Sequence, residues 1–244
     1  MVDINIKGIS KQFDKKQVLS DITFSIPSGD IICLLGPSGS GKTTLIRLLV
    51  GAIAAEHGEI RFGDVVVPNL KLMKKIGFMP QNDALYDDLS GEDNLRFFAG
   101  LHGMKKSEIE VRINEVLTLV DLMADRKKSV AFYSGGMKKR LSLAAALIHE
   151  PDVFLLDEPT VGIDPVLRRT IWEQFGELKK TGKTLIVSTH VMGDVEECDK
   201  AALIYNGRLI SFDTVPNLLA KTESGKVEEL FFIAAKNEKE GVSI

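Results

Sequence analysis

Only two of the 244 residues are cysteine, Cys33 and Cys198, and they form neither a metal-ligand spacing nor a disulfide framework. A reducing compartment and a packing role for both thiols are the expectations. Long apolar runs are missing as well. The longest, around LIRLLVGAIAA, contains Arg47 and falls short of the ~18–20 residues that span a bilayer. The start, MVDINIKGIS, carries no cleavable-signal pattern. No sign of charge dominates: 31 basic residues stand against 34 acidic ones, for a net charge of -3. A chain that coats nucleic acid shows a basic excess, so no nucleic-acid partner is expected. Asn-Lys-x-Asp, the guanine-reading element, is absent, which weakens a GTPase reading. What is present is 44% hydrophobic residues in a length that suits one large α/β domain, with or without a smaller subdomain.

The first ~35 residues read as strands, VDINIKGIS and DITFSIP, with KQFDKKQ as a polar turn between them. IICLLG is a short continuous apolar run, the pattern of a strand buried on both faces. TLIRLLVGAI has helical spacing, GEIRFG and VVVP suit a hairpin, and KKIGFMPQ another strand. Between about 83 and 149 the texture turns helical, which marks an inserted helical subdomain. Beyond it the strand-like runs VFLLDEP, TLIVSTH and AALIYNG alternate with the helical segments LRRTIWEQFGELKK and VMGDVEEC, the signature of a mostly parallel sheet. The fold class is therefore α/β: a core with a mostly parallel sheet, an N-terminal antiparallel β subdomain and the helical insert. The expected division is residues 1–221 as the main domain and 222–244 as a tail of unread role, for which a short helix packed on the body is the simplest expectation.

Residues 36–43, GPSGSGKT, fit the phosphate-loop pattern, and the strand before and helix after supply the required context. Gly36, Gly39 and Gly41 let the backbone curl so that N–H groups point inward, with Pro37, Ser38 and Ser40 between them and Thr44 next in line. The helix adds its positive N-terminal end. Lys42 places a mobile charge on β- and γ-phosphates, and Thr43 offers a hydroxyl to Mg²⁺. Alone, the loop says nucleoside triphosphate. VFLLDEP then puts Asp157 at the end of a buried strand, suited to orient Mg²⁺, while Glu158 points differently through strand alternation and can take a proton from an attacking water. A second Ser-Gly-Gly, residues 134–136, precedes an apolar helical stripe of Leu141, Ala144, Ala145 and Ile148. Ser134 makes a good N-cap, and Gly135 and Gly136 leave the first helical N–H groups bare. Physics alone allows an anion cradle or an ordinary capped helix, and favours the cap.

YSGGMKKRLSLAAALIHEPDVFLLDEPTVGID resembles the signature region of the ATP-binding cassette (ABC) family, whose usual form is Leu-Ser-Gly-Gly-Gln; here Tyr133 and Met137 flank the unchanged Ser134, Gly135 and Gly136. Phe13, the Gly36–Thr44 loop, Gln81, the signature, Asp157 with Glu158, Asp164 and His190 follow the family's order over residues 1 to about 215. The resemblance implies an ATPase of P-loop NTPase fold that works as a head-to-tail dimer, homomeric or with a second ATPase subunit. In it the phosphate loop of one chain faces the Ser-Gly-Gly of the other across ATP. It implies adenine stacking for Phe13, where the family commonly has Tyr, and Mg²⁺ and water contacts for Gln81. Asp164 communicates across the dimer, and His190 touches the γ-phosphate and aligns Glu158. Met137 lacks the amide that Gln offers, so contacts through that side chain are in doubt. Most of the family powers transport through a separate transmembrane permease, which places the ATPase at the cytoplasmic face of the membrane. The YSGGM and VGIDP variants are more similar to ATPases of drug or lipid exporters than of importers. Soluble cofactor-assembly ATPases remain open. The DNA-repair ATPases interrupt the fold with coiled coils, and no heptad run separates the loop and signature here. His57, His102 and His149 read as surface or helix-end residues, and Trp172 as core.

Overall fold

The computed structural model describes residues 2–240. The N-terminal strands run longer than the sequence suggests. β1 (Ile4–Phe13) and β2 (Lys16–Ile26) pair antiparallel with Phe13 opposite Lys16. Most of KQFDKKQ is therefore strand, and Asp14 and Lys15 alone turn the chain, with φ of 45° and 68°. Two left-handed residues form the tight turn whose twist matches that of paired strands, so the polar character of the segment reflects exposure and not loop. β4 (His57–Phe62) and β5 (Val65–Val66) form the expected hairpin and complete a four-stranded sheet in the order β2-β1-β4-β5.

A second, six-stranded sheet has the order β10-β9-β3-β8-β7-β6. Its strands are β3 (Ile31–Leu35), β6 (Ile76–Met79), β7 (Val153–Asp157), β8 (Thr184–Thr189), β9 (Lys200–Tyr205) and β10 (Arg208–Thr214). All neighbours pair in parallel except β10, which pairs antiparallel with β9. Every residue of β3 and β7 is buried, because both faces of the sheet are covered. Side chains of β3 divide by alternation. Ile32 and Leu34 join the antiparallel sheet and α1 (Lys42–Val50) in one core, while Ile31, Cys33 and Leu35 join the helices in a second. Both cysteines are free and buried, as expected for packing residues.

After the four-residue α2 (Leu70–Met73), three helices form the insert between β6 and β7: α3 (Gly91–Leu101), α4 (Lys106–Leu119) and α5 (Gly135–Leu147). Ser90 caps α3 through Asp93 N–H, and the Asn94 amide holds Tyr86 through both N–H and carbonyl, so the segment after Gln81 is tied to α3. α6 (Pro165–Lys180) follows β7, and buries Trp172 as expected. VMGDVEEC, expected as a helix, is a 3-10 turn over Met192–Glu197. α7 (Val215–Leu219) leads to α8 (Glu228–Lys239), which packs Val227 and Phe231 on the helical-side core. Asn206 Nδ2 also donates to Glu238, at 2.8 Å. The tail is thus a helix on the body as far as residue 240, and residues 241–244 lie outside the described residues. No helix among the described residues is long and apolar enough to cross a membrane.

Candidate active site

Parallel strands send their carboxyl ends to one edge of a sheet, where ligands of open α/β folds bind. Here the order β3-β8-β7-β6 fixes what stands along that edge. The phosphate loop leaves β3, His190 follows β8, Asp157 ends β7 with Glu158 next, and Gln81 lies just past β6.

The loop is seated from below by distant segments. A Cβ on Gly36 would stand 2.2 Å from Ile204 O and 2.7 Å from Ser40 Oγ, so only glycine fits. Gly41 sits at φ 107° against Leu19 and Val18 of β2. In the tight turn between β9 and β10, Gly207 N–H donates to Ser40 O at 3.1 Å, and Gly207 O accepts from Ser20 N–H at 2.8 Å. Pro37, Ser38 and Gly39 form the exposed rim. Lys42 is only 5% exposed, and its ammonium donates to Gly36 O (2.7 Å) and Pro37 O (3.0 Å). Burial pushes the Lys42 pKa down, and the charges of Glu158 and Asp157 oppose that shift. Ser40 Oγ is buried with no hydrogen-bond partner among the described residues. An unpaired hydroxyl, a desolvated cation and a space kept free of Cβ make a cradle that fits phosphate oxygens. Thr43 and Thr44 open α1 and are half-buried.

Asp157 is 2% exposed and accepts from Ser188 Oγ. Glu158 diverges from it for a reason other than strand alternation: it is left-handed, with φ 53°, so the chain turns sharply there. Its N–H donates to Ser188 O and Ser188 Oγ, both at 3.1 Å, which holds the turn. The Glu158 carboxylate stands between two of the residues expected with it. His190 Nδ1 is 2.8 Å from Oε1, and Gln81 Nε2 donates to Oε2 at 3.3 Å. An ionised carboxylate only accepts, so His190 carries its proton on Nδ1 in this pair.

Three expected residues stand apart from this group. Phe13 lies at the tip of the β1–β2 hairpin, 44% exposed. Asp164 caps α6, accepting from Val166 and Leu167 N–H, so its carboxylate already serves its own chain. Ser134 caps α5 through Met137 N–H at 3.2 Å, and no hydrogen bond among the described residues links residues 134–136 to residues 36–44. The sequence reading missed Asp194. Its buried carboxylate accepts from Trp172 Nε1 (3.0 Å), Thr189 Oγ1 (2.7 Å) and Arg168, and so ties the strand before His190 to α6. It also missed a stacked pair, His102 on His149, with ring centroids 3.4 Å apart. Neither has a local signal beyond an acidic residue in a mostly polar turn and two histidines at helix ends.

A family model described as ABC transporter matches residues 19–161. The linearmycin resistance ATP-binding protein of Bacillus subtilis is 36% identical over 96% of this chain and 79% of its own length. A Nod factor export ATP-binding protein I of Bradyrhizobium diazoefficiens is 37% identical over 84% of the chain and 68% of its own. ABC transporter G family member 20 of Dictyostelium discoideum is 36% identical over 96% of the chain, which spans about a third (32%) of that relative. Among solved structures, an ATP binding subunit of an ABC transporter superposes with a TM-score of 0.86 at 26% identity, covering 95% of this chain and 98% of that one. A triphosphate cradle beside an oriented carboxylate, in a fold and sequence shared with these proteins, makes the chain a member of the ABC transporter family, one of its ATP-binding and ATP-hydrolysing subunits.

Proposed function

We propose that this chain drives substrate export through a separate transmembrane permease, and that each ATP is held between two ATPase subunits clasped head to tail. The observation that carries the shared site is the start of α5. Ser134 and Gly135 are exposed. A Cβ on Gly135 would meet nothing within 4 Å, and one on Gly136 only Gly162 O, at 3.7 Å. Packing inside the chain therefore does not require these glycines. Bare backbone N–H groups at a helix start suit an anion arriving from outside, here the γ-phosphate held by a partner subunit's loop.

Mg²⁺ fits the donors present. Thr43, Gln81 and Asp157 are hard oxygen donors, and among the described residues no group of three His, Cys, Asp or Glu could hold a metal alone. Thr43 and Asp157, with Gln81, would hold the ion, which when bound supplies charge neutralisation across the β- and γ-phosphates. Lys42 adds its ammonium to the same oxygens, and Phe13 stacks on adenine. Glu158, held by His190 and Gln81, takes the proton of the water whose oxygen bonds to the γ-phosphorus as the bond to ADP breaks. Asp164 lies on the exposed loop that faces the partner.

A groove of about 440 Å³ beside the segment after Gln81 supports the permease as partner. Leu70 (83% exposed), Leu101 (65% exposed) and Met73 line it with Phe98. Apolar side chains at this exposure suit a helix of the membrane subunit, which would hold the chain at the cytoplasmic face of the membrane. The names of the linearmycin resistance and Nod factor export relatives support export as the direction.

Mixing two inactive variants tests the shared site. Lys42→Ala and Ser134→Arg each damage both sites of their own dimer. A mixed dimer of identical folds holds one site with intact Lys42 and intact Ser134, so activity returns on mixing, to roughly a quarter of wild type for random pairing and independent sites. Full turnover by Ser134→Arg alone, with specific activity independent of protein concentration, overturns the reading and leaves Ser134 a plain helix cap.

A further inference from the structure

The reading of Phe13 as the ring that stacks on adenine leaves open what holds an exposed ring ready. Lys11 and Phe13 are two apart on β1 and share a face of the strand. The Lys11 ammonium lies over the Phe13 ring, 5.0 Å from its centroid. The ammonium thus takes one face of a ring that remains 44% exposed.

Lys11 is itself pinned. Its Nζ donates to Glu56 Oε1 at 2.6 Å, and Gln12 N–H donates to Glu56 Oε2 at 3.0 Å. Glu56 N–H in turn donates to Ser10 O, at 3.1 Å. The Lys11 ammonium, with the Gln12 N–H, holds the Glu56 carboxyl below the usual range. These three contacts fix the last residues of β1 to Glu56, the residue before β4, and place the charge behind the ring. The hairpin also reaches the phosphate loop: Val18 and Leu19, a few residues beyond the tip, pack against Gly41.

We propose that Lys11, braced by Glu56, is a positioning residue that backs Phe13 for stacking on the adenine of ATP. A cation on one face holds the ring's orientation and draws electron density from the opposite face. That face then repels a π-rich purine less. The proposal rests on the stacking role of Phe13, and the test separates the two.

Calorimetric titration of the purified chain with ATP, and separately with inorganic tripolyphosphate, supplies the readout, since tripolyphosphate has no base. Phe13→Leu should weaken ATP binding about tenfold. Lys11→Met and Glu56→Gln should each weaken it about threefold, and Lys11→Arg, which keeps a cation over the ring, should restore it. Tripolyphosphate affinity should be unchanged in all four. If Phe13→Leu binds ATP normally, both the stacking role and the proposal fall. If Phe13→Leu is impaired while Lys11→Met is normal, stacking stands and the proposal falls. Equal weakening of ATP and tripolyphosphate by Lys11→Met makes Lys11 a charge acting on phosphates and likewise overturns it. Failure of Lys11→Arg to restore binding removes the cation from the account and does the same.

Discussion

The helix starts at Lys42, just after Gly41, and at Gly135, itself followed by Gly136, differ in what surrounds them. The first is enclosed. Ile204, Gly207, Val18 and Leu19 press on the inner side of its loop, and its lysine is nearly buried. The second has a serine cap, and among the described residues only Gly162 O lies within 4 Å of a Cβ added at Gly135 or Gly136. In the first, glycine is there because the chain's own atoms leave no room. In the second, there is room and glycine is still used. Under the proposed function the two starts are complementary halves of one shared site: the first is the half that the chain's own packing shapes, and the second is the half it offers to a partner's nucleotide.

The largest effects should come at the enclosed site. Lys42→Ala should lower ATP turnover by ~10²-fold or more, and Glu158→Gln by a similar factor, with circular dichroism unchanged. Glu158→Gln should still bind ATP and should size as a dimer with ATP and Mg²⁺. Wild-type turnover by either variant would break the assignment of that half.

Gly36→Ala and Gly135→Asp sharpen the contrast directly. The added Cβ at Gly36 meets Ile204 O at 2.2 Å, so overpacking should destabilise the fold by ~1–3 kcal/mol in chemical denaturation. Gly135→Asp should leave the unfolding midpoint equal or higher, because an acidic residue at a helix start is favourable. The same charge repels the incoming γ-phosphate, and turnover should drop about tenfold or more by the loss of one anion contact. Gly135→Asp with normal turnover would erase the difference between the two helix starts.

An effect on stability alone is expected at Asp194, which belongs to neither cradle. Asp194→Ala strands Arg168 and the Trp172 N–H and should destabilise by about 3 kcal/mol, read as a lower urea midpoint. The smallest concerns pH. Burial, with His102 close by, pushes the His149 pKa down from 6.5 to about 4. A base with a lowered folded pKa is bound by fewer protons folded than unfolded between those values. Stability is therefore fully present above pH 6.5 and declines as pH falls toward 4. His149→Gln should flatten the urea midpoint over that window relative to wild type; equal slopes would exclude His149 as a source of the pH dependence.

Much of this was legible in the sequence, because it depends on local pattern. Apolar runs such as IICLL and VFLLD announce strands covered on both faces, and parallel order then puts their carboxyl ends together. The resemblance implied that His190 aligns Glu158, and the structure has His190 Nδ1 2.8 Å from that carboxylate, with Gln81 Nε2 on its other oxygen. What stayed hidden depends on partners far apart in sequence. Nothing near Asp194 announces Arg168 and Trp172, nothing near His102 announces His149, and nothing near GPSGSGKT announces Ile204 and Gly207. The left-handed turn at Glu158 was hidden for another reason. Its φ is imposed by Ser188, and a glutamate gives no sign of it.

The seat of the phosphate loop has a consequence for how the protein is made. The loop occupies residues 36–44, yet Gly207 donates its N–H to Ser40 O, and Ile204 sets the floor under Gly36. Synthesis proceeds from the N-terminus, and domains form as their segments emerge. A nascent chain that has released its loop and α1 still lacks the turn that shapes them, so the nucleotide-binding conformation arises only when most of the polypeptide is out of the ribosome. ATP then acts as a ligand of the finished domain alone, and stabilises the folded state by mass action only after translation has passed the β9–β10 turn.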